Sequence, residues 1–439
     1  MPTIDDKGKW LQPFASLSGR KTTQPQAELR AAAPKPAVDS LVLSNASTHN
    51  KVTLHPSPTE SNQALLDLIK NAKRSLHIEV FIWHNDENGR EIAEAIRDRI
   101  QKAKAKGEPF DVKIMVDSTG LRGGSGGSDD AGIIDLLKSY GADAREFNPD
   151  FVSWEAKGVP ITHRKLFVAD GEKFITGGRN IGNEYLHEKY KVNGQDEPSW
   201  HDLFFTVEGD ETARIEKEFY ENWQRIGGEA PKTLPKPVPA DGKAKIQSFV
   251  TDPHSGTQDI RAAHTQAIRN AKEEIVAIYP YFSDDKLVKE LLDAKKRNPS
   301  LKVRVLMPAN KEASHEGTIY SILNRETADQ LMKAGIEVRL FEGDNVNGKT
   351  VPRFSHFKGM LIDNKLLSIG SANGDARTYN SNHELVTMIS DESTIKNFQE
   401  RILNPDWKAA KPLTPKDLEG DSFWNRAKRK ALEALDPLL

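Results

Sequence analysis

The stretch that decides the fold is HRKLFVADGEKFITGGRN, from His163 to Asn180, because it returns as HFKGMLIDNKLLSIGSAN, from His356 to Asn373. Both copies read His-x-Lys, four residues, Asp, six residues, then Gly-Gly/Ser-x-Asn, and the histidines lie 356 − 163 = 193 residues apart. With each fixed position matching by chance about one time in twenty, five of them recur in roughly one window in a few million. Coincidence is excluded. In a strand, alternate side chains share a face, so His163 and Lys165 are expected to point the same way, as are His356 and Lys358. Asp170-Gly171 and Asp363-Asn364 supply hairpin-turn residues between two apolar strands. The second strand of each hairpin then brings Asn180 or Asn373 back beside the histidine and lysine.

Outward from the two copies, the flanking sequence repeats one plan. ALLDLIKNAKRS (64–75) has helical spacing and leads into LHIEVFIW (76–83), a run suited to a strand; AHTQAIRNAKEE (263–274) leads into IVAIYPYF (275–282). A further helix and strand follow in each half, and then a helix stopped by glycine, LLKSYGAD (136–143) and QLMKAGIE (330–337). Alternating helices and strands predict an α/β fold: two duplicated α/β/α-sandwich lobes with mixed, largely parallel sheets, related by a pseudo-twofold axis. The lobes are expected at 51–228 and 246–410. A Pro, Gly and Lys-rich linker at 229–245 joins them. Residues 1–50 are expected to be disordered, and 411–439 to form a tail whose FWNRAKRKALEALDPLL (423–439) has amphipathic helical spacing.

The 439 residues suffice for two ordinary domains, and 62 basic against 64 acidic side chains leave a net charge of −2. That balance argues against a dedicated nucleic-acid binder. No run reaches the ~18 apolar residues of a membrane span, and the first residues lack a secretory layout. A cytoplasmic protein with peripheral membrane contact, acting as a monomer, is expected. Without cysteine there are no disulfides, thiolate nucleophiles or cysteine metal sites.

Each half thus offers an imidazole, an ammonium and a carboxamide, and the twofold axis would merge both sets into one pocket. Such a pocket suits an anionic phosphodiester. A neutral histidine attacks phosphorus and a protonated one serves the leaving oxygen, while lysines and asparagines stabilise the developing charge. The lysines supply the positive charge, so neither a metal nor a cofactor is required. Glu184 and Glu384 are candidates for fixing the imidazole tautomers. Asp170 and Asp363 are counted with the site residues but suit turn and scaffold roles better than proton transfer. The glycine-rich GLRGGSGGSDD (120–130) lacks the ending of a phosphate-binding P-loop and is expected to be a mobile loop near the cleft.

These residues resemble the phospholipase D superfamily, and both halves match its double His-Lys-Asp motif. HIEVFIWHNDENGREI (77–92), GGRNIGNEY (177–185), WHDLFFTVEG (200–209), YPYFSDD (279–285) and GSANGDARTYNSNHE (370–384) are most similar to its cardiolipin synthase branch. Three positions depart from that branch: Gly374 where an aromatic residue is usual, Thr378 in place of serine and His201 in place of arginine. The membrane-spanning N-terminus common in the branch is absent. The resemblance implies that His163 is the nucleophile, forming a phosphohistidine, and that His356 protonates the leaving alcohol. It adds His315 as a pocket residue. It implies an anionic glycerophospholipid substrate, with phosphatidyl transfer to an alcohol or to water. Two rivals are a nuclease of the same superfamily and a scaffold without activity, the latter disfavoured by two intact motifs.

Overall fold

The computed structural model describes residues 37–123, 130–148, 160–192, 194–234, 236–309 and 315–418. The glycine-rich residues 124–129 and the amphipathic segment 423–439 lie outside the described residues.

The backbone of the fold is one sheet that runs through both halves. At its centre, Ser47–His55 meets Ala244–Asp252 antiparallel. On one side follow Phe204–Gly209, Lys173–Gly177, Lys165–Ala169, Ser75–Val80, Asp111–Asp117 and Asp143–Phe147. On the other follow Glu384–Ser390, Leu366–Gly370, Gly359–Ile362, Glu274–Ile278, Lys302–Pro308 and Glu337–Phe341, with Lys411–Pro412 beyond them. Strand for strand the two sides match, so the duplication expected from sequence is present as structure. The sheet is mixed. Parallel pairing is confined to the two outer triplets, Ser75–Val80 to Asp143–Phe147 and Glu274–Ile278 to Glu337–Phe341. Everything inward of them is antiparallel, because each motif hairpin reverses the chain and its return strand reverses it again.

Local chemistry sets the ends of the helices that connect these strands. Ser57 and Glu60 form a capping box at the start of Pro58–Asn71. The Asp86 and Asp284 side chains cap Glu87–Lys106 and Asp285–Arg297 at matching places in the two halves. Apolar side chains of the helices and of the sheet's outer faces make one core per half, around Ile78, Ile92 and Ile114 in the first and Ile275, Leu291 and Val305 in the second. A third core, with Phe205, Phe219 and Trp223 from the first half and Leu306, Phe357 and Ile389 from the second, is shared between the halves. No described helix is long and apolar enough to cross a membrane.

Two expected boundaries move. Residues 37–50, expected to be disordered, contain the helix Val38–Val42 and the start of the central strand. Val38, Val42 and Leu43 are buried in the second half's core, a cluster too short to show a helical period in sequence. At the other end, ordered structure continues past 410, where Lys411–Pro412 pairs with Glu337–Phe341 and the helix Pro415–Leu418 follows.

Candidate active site

Both motif hairpins form the expected turns. Asp170, Gly171, Asp363 and Asn364 all have positive φ, at 59°, 68°, 51° and 53°, as a two-residue hairpin turn of the I′ type requires. The aspartates do more than turn the chain. Asp170 accepts hydrogen bonds from the backbone N–H groups of Lys73, Arg74 and Ser75 at 2.5–3.0 Å. Asp363 does the same for Lys272, Glu273 and Glu274 at 2.8–3.1 Å. Each carboxylate therefore anchors the helix-to-strand entry of its own half. It sits at the end of the hairpin strand remote from the histidine, so neither aspartate joins the imidazoles. Their place among the catalytic candidates is corrected: the turn needs a short acceptor tolerant of positive φ, and that need fixes the residue.

The histidines lie just before their strands, which begin at Lys165 and Gly359, rather than within them. Each is held by the opposite half. His163 N–H donates to His383 O at 2.9 Å, and His383 N–H donates to Ile161 O at 2.8 Å. His356 N–H donates to His201 O at 2.8 Å, and His201 N–H donates to Phe354 O at 2.9 Å. The segments that follow the hairpins are thus exchanged between the halves, and the side chains cross with them. His163 Nδ1 contacts Glu384 Oε1 at 3.0 Å, while His356 Nδ1 contacts Asp202 Oδ2 at 2.7 Å. Glu384 lies where the expected orienting role would need it, but against the histidine of the other half. Glu184 does not. It meets His84 Nε2 at 2.8 Å, and His84 Nδ1 meets Asp130 at 2.6 Å, a buried triad that pushes His84 up to about 10 despite burial. Nearness to the motif in sequence suggests Glu184; its neighbour Tyr185 does lie beside His356, with the rings 6.2 Å apart, but the Glu184 carboxylate turns to His84 instead.

Asp202 is the functional residue that the motif alone misses. A signal for it exists: His201-Asp202-Leu203 and His383-Glu384-Leu385 open matching strands. The exchange of aspartate for glutamate is absorbed at the preceding small residue. Gly178 has no room for a side chain, since a Cβ there would come within 2.3 Å of Asp202 Oδ1. Its counterpart Ser371 instead donates its hydroxyl to Glu384 Oε2 at 2.5 Å.

Lys165 and Lys358 are buried, and each donates its ammonium to the carbonyl of its own motif histidine, His163 and His356. Asn180 and Asn373 are buried as well. Asn180 Oδ1 accepts from Ile82 N–H at 3.3 Å, whereas Asn373 Oδ1 is buried without a hydrogen-bond partner. The Phe81 ring meets His163 edge-on at 5.2 Å and lies under Lys165 Nζ, and Trp200 meets His356 edge-on at 5.0 Å. His315 opens the helix His315–Lys333; its side chain lies outside the described residues.

The electrostatics follow from burying four cationic or ionisable groups together. Burial, then Lys165 and Lys358, lower His163 to about 4 against the pull of Glu384. Burial, then Lys358 and Lys165, lower His356 to about 3 against the pull of Asp202. Burial also drives Lys165 well below its ordinary value, with Lys358 adding to it. Burial would raise the two carboxylates, yet the adjoining lysines and histidines hold Asp202 and Glu384 below the usual range. The resting pair is therefore neutral imidazole against ionised carboxylate on both sides. With Nδ1–H directed to a carboxylate, the Nε2 lone pair of each histidine is free for chemistry.

The departures from the branch have local reasons. A side chain at Gly374 would collide with Phe282, whose ring comes within 2.7 Å of the Cβ position. Thr378 accepts a hydrogen bond from Asn373 N–H at 3.1 Å, which a serine hydroxyl would equally accept. His201 ties its strand to Asp406 at 2.8 Å.

A family profile described as cardiolipin synthase, PLD-like domain matches residues 65–223 and 265–407, one stretch in each half. Cardiolipin synthase 1 of Bacillus anthracis is 25% identical over 389 residues, covering 85% of this chain and 70% of that protein. A cardiolipin synthase of Clostridium perfringens is 26% identical over 399 residues, covering 89% and 77%. Among solved structures, the phosphatidylserine synthase of Haemophilus influenzae superposes with a TM-score of 0.62 at 18% identity, over 90% of this chain and 98% of that one, which speaks for the fold. With two matched stretches, each built on one copy of the same His-Lys-Asp hairpin, the chain belongs to the cardiolipin synthase, phospholipase D-like domain family.

Proposed function

We propose that the chain is a phosphatidyl-transferring enzyme of the phospholipase D type, working on an anionic glycerophospholipid through a phosphohistidine. The observation that carries this reading is the crossed pair of imidazoles, each backed by a carboxylate from the other half, with two buried lysines whose charges act on both. His163 Nε2 attacks phosphorus while the bond from phosphorus to the leaving alcohol oxygen breaks. His356 gives its proton to that oxygen. It then takes a proton from the incoming alcohol or water, whose oxygen displaces His163 and restores it. The order of roles rests on family resemblance, since the near-symmetry of the two halves does not set it.

At rest His356 is neutral, yet its part in the first step needs a proton. The phosphodiester resolves this. Its negative charge offsets Lys165 and Lys358, which are among the groups depressing His356. Substrate binding therefore raises His356 toward its working range and lets it enter the cycle protonated. The same negative charge favours the cationic form of Lys165, whose ammonium stabilises the transition state.

The named relatives support phosphatidyl transfer to a lipid alcohol. A substrate with two acyl chains does not leave the bilayer, so the enzyme docks on it peripherally, as a monomer that carries both halves of its own pocket. Incubating the pure protein with mixed phospholipids and identifying products by mass spectrometry tests the proposal. Dimeric phospholipid with released glycerol supports transfer, phosphatidic acid supports hydrolysis, and cleavage confined to nucleic acid overturns the lipid reading.

A further inference from the structure

The strand Ala244–Asp252 ends in a tight turn. Asp252 Oδ1 accepts from the backbone N–H groups of His254 at 2.9 Å and Ser255 at 3.3 Å. That turn swings His254 against His383, bringing His254 Nδ1 to 2.8 Å from His383 Nε2. His383 Nδ1 lies 3.6 Å from Asp252 Oδ1. One ligand atom from each of the three residues falls within 4.8 Å of the other two. Arg225 holds Asp252 Oδ2 at 2.7 Å, which orients the carboxylate. His383 is fully buried, and its Nδ1 has no hydrogen-bond partner.

The pseudo-symmetric position gives the contrast. There, His201 meets a carboxylate, Asp406, at 2.8 Å, an ion pair complete in itself. At the same distance His383 meets a second imidazole. Two imidazoles in contact share one proton and leave a nitrogen lone pair unused. Two histidines and one carboxylate within a few ångströms are the donor set that first-row divalent ions prefer. Nitrogens bound to one ion at about 2.0–2.1 Å sit roughly 3 Å apart, near the separation already present.

We propose that Asp252, His254 and His383 bind a divalent transition-metal ion, Zn²⁺ being the matching probe, outside the phosphoryl-transfer pocket. Asp252 and His254 lie some 130 residues before His383 (383 − 252 = 131, 383 − 254 = 129), so no local spacing marks the cluster in the sequence. The side chain of His254, 36% exposed, leaves the remaining coordination position to water and gives the ion a way in. The ion serves as a clamp. His383 is hydrogen-bonded through its backbone to both Ile161 and His163, and the next residue is Glu384, so the clamp braces the segment that orients the nucleophile.

The test uses the full chain stripped of metal and titrated with Zn²⁺ by calorimetry, with Co²⁺ absorption reporting the ligand geometry. One equivalent should bind the wild type. His254→Ala, a change at a partly exposed turn, should weaken binding by about tenfold or more, and His163→Asn should leave it unchanged. Zn²⁺ should raise the melting temperature of the wild type and not that of His254→Ala. Equal affinity in His254→Ala overturns the proposal, as does loss of binding in His163→Asn, which would place the ion in the catalytic pocket. Absence of any binding by the wild type overturns it too.

Discussion

Replacing Asp363 with alanine separates scaffold from catalysis. The carboxylate is almost fully buried and accepts three backbone N–H groups, those of Lys272, Glu273 and Glu274, at 2.8–3.1 Å. Hydrogen bonds to a charged acceptor contribute about 1.5–3 kcal/mol each, but these three share one carboxylate and water can reach some of the freed groups, so about 3 kcal/mol in total is reasonable. Position 363 also has φ of 51°, and alanine there costs roughly 1 kcal/mol more. Asp363→Ala should therefore lose about 4 kcal/mol. Asp363→Asn keeps one acceptor oxygen and tolerates the backbone, and should lose about 1–2 kcal/mol. Urea unfolding followed by circular dichroism gives the order of stabilities. Rapid-quench measurement of the phosphohistidine burst with a short soluble phosphodiester gives the chemistry per folded molecule. The burst rate should stay close to wild type in both variants. A wild-type unfolding curve combined with a burst slowed a hundredfold in Asp363→Asn would show that this carboxylate takes part in the reaction, and the scaffold assignment would fall.

Four further outcomes follow from the site. His356→Asn should still form an adduct slowly with a good leaving group while His163→Asn should not; a labelled adduct on His356 reverses the roles. In the free enzyme His163 is neutral above about pH 4, so its ring should titrate by NMR near pH 4 rather than at the ordinary histidine value near 6.5; Glu384 is the charge that pulls His163 upward, so Glu384→Gln should move that midpoint lower still, and a midpoint near 6.5 in wild type contradicts the burial argument. In His254→Ala, which lacks the clamp, turnover should persist unchanged in excess EDTA, because lysines and asparagines supply the electrostatics; complete loss there, restored by a divalent ion, refutes this. Deleting residues 421–439 should weaken binding to anionic vesicles and lower turnover on them, with a soluble phosphodiester still cleaved; equal loss on both substrates makes the segment structural instead.

The hairpins could be read from sequence because everything that specifies them is local. Asp170-Gly171 and Asp363-Asn364 are turn pairs with positive φ, and the apolar strands on either side pair as the pattern requires. The carboxylates behind the histidines could not be read in the same way. Asp202 lies 202 − 163 = 39 residues after the first motif histidine but serves the second, and Glu384 lies 384 − 356 = 28 residues after the second but serves the first. No local spacing encodes a contact that crosses between halves. Aligning the halves strand by strand, so that His201-Asp202-Leu203 falls on His383-Glu384-Leu385, would have exposed both. Glu184 was attractive for the opposite reason, its closeness to Asn180, and His84 holds it elsewhere. Residues 38–43 were unreadable because three buried side chains make no period, and their partners sit more than 200 positions away in the second half's core.

The exchange of segments at the pocket makes catalysis conditional on assembly. A first half folded by itself would contain His163 and Lys165 but no Glu384; a second half would contain His356 and Lys358 but no Asp202. Each would be an imidazole without a fixed tautomer in a half-open, wet site. Under the proposed mechanism, a nascent chain with only its leading half built lacks the carboxylate that orients His163, and proteolysis between residues 229 and 243 followed by separation of the pieces would take both carboxylates from their histidines. The same wiring lets two inactive pieces regain activity only by finding each other, which makes turnover itself a reporter of whether the halves have met.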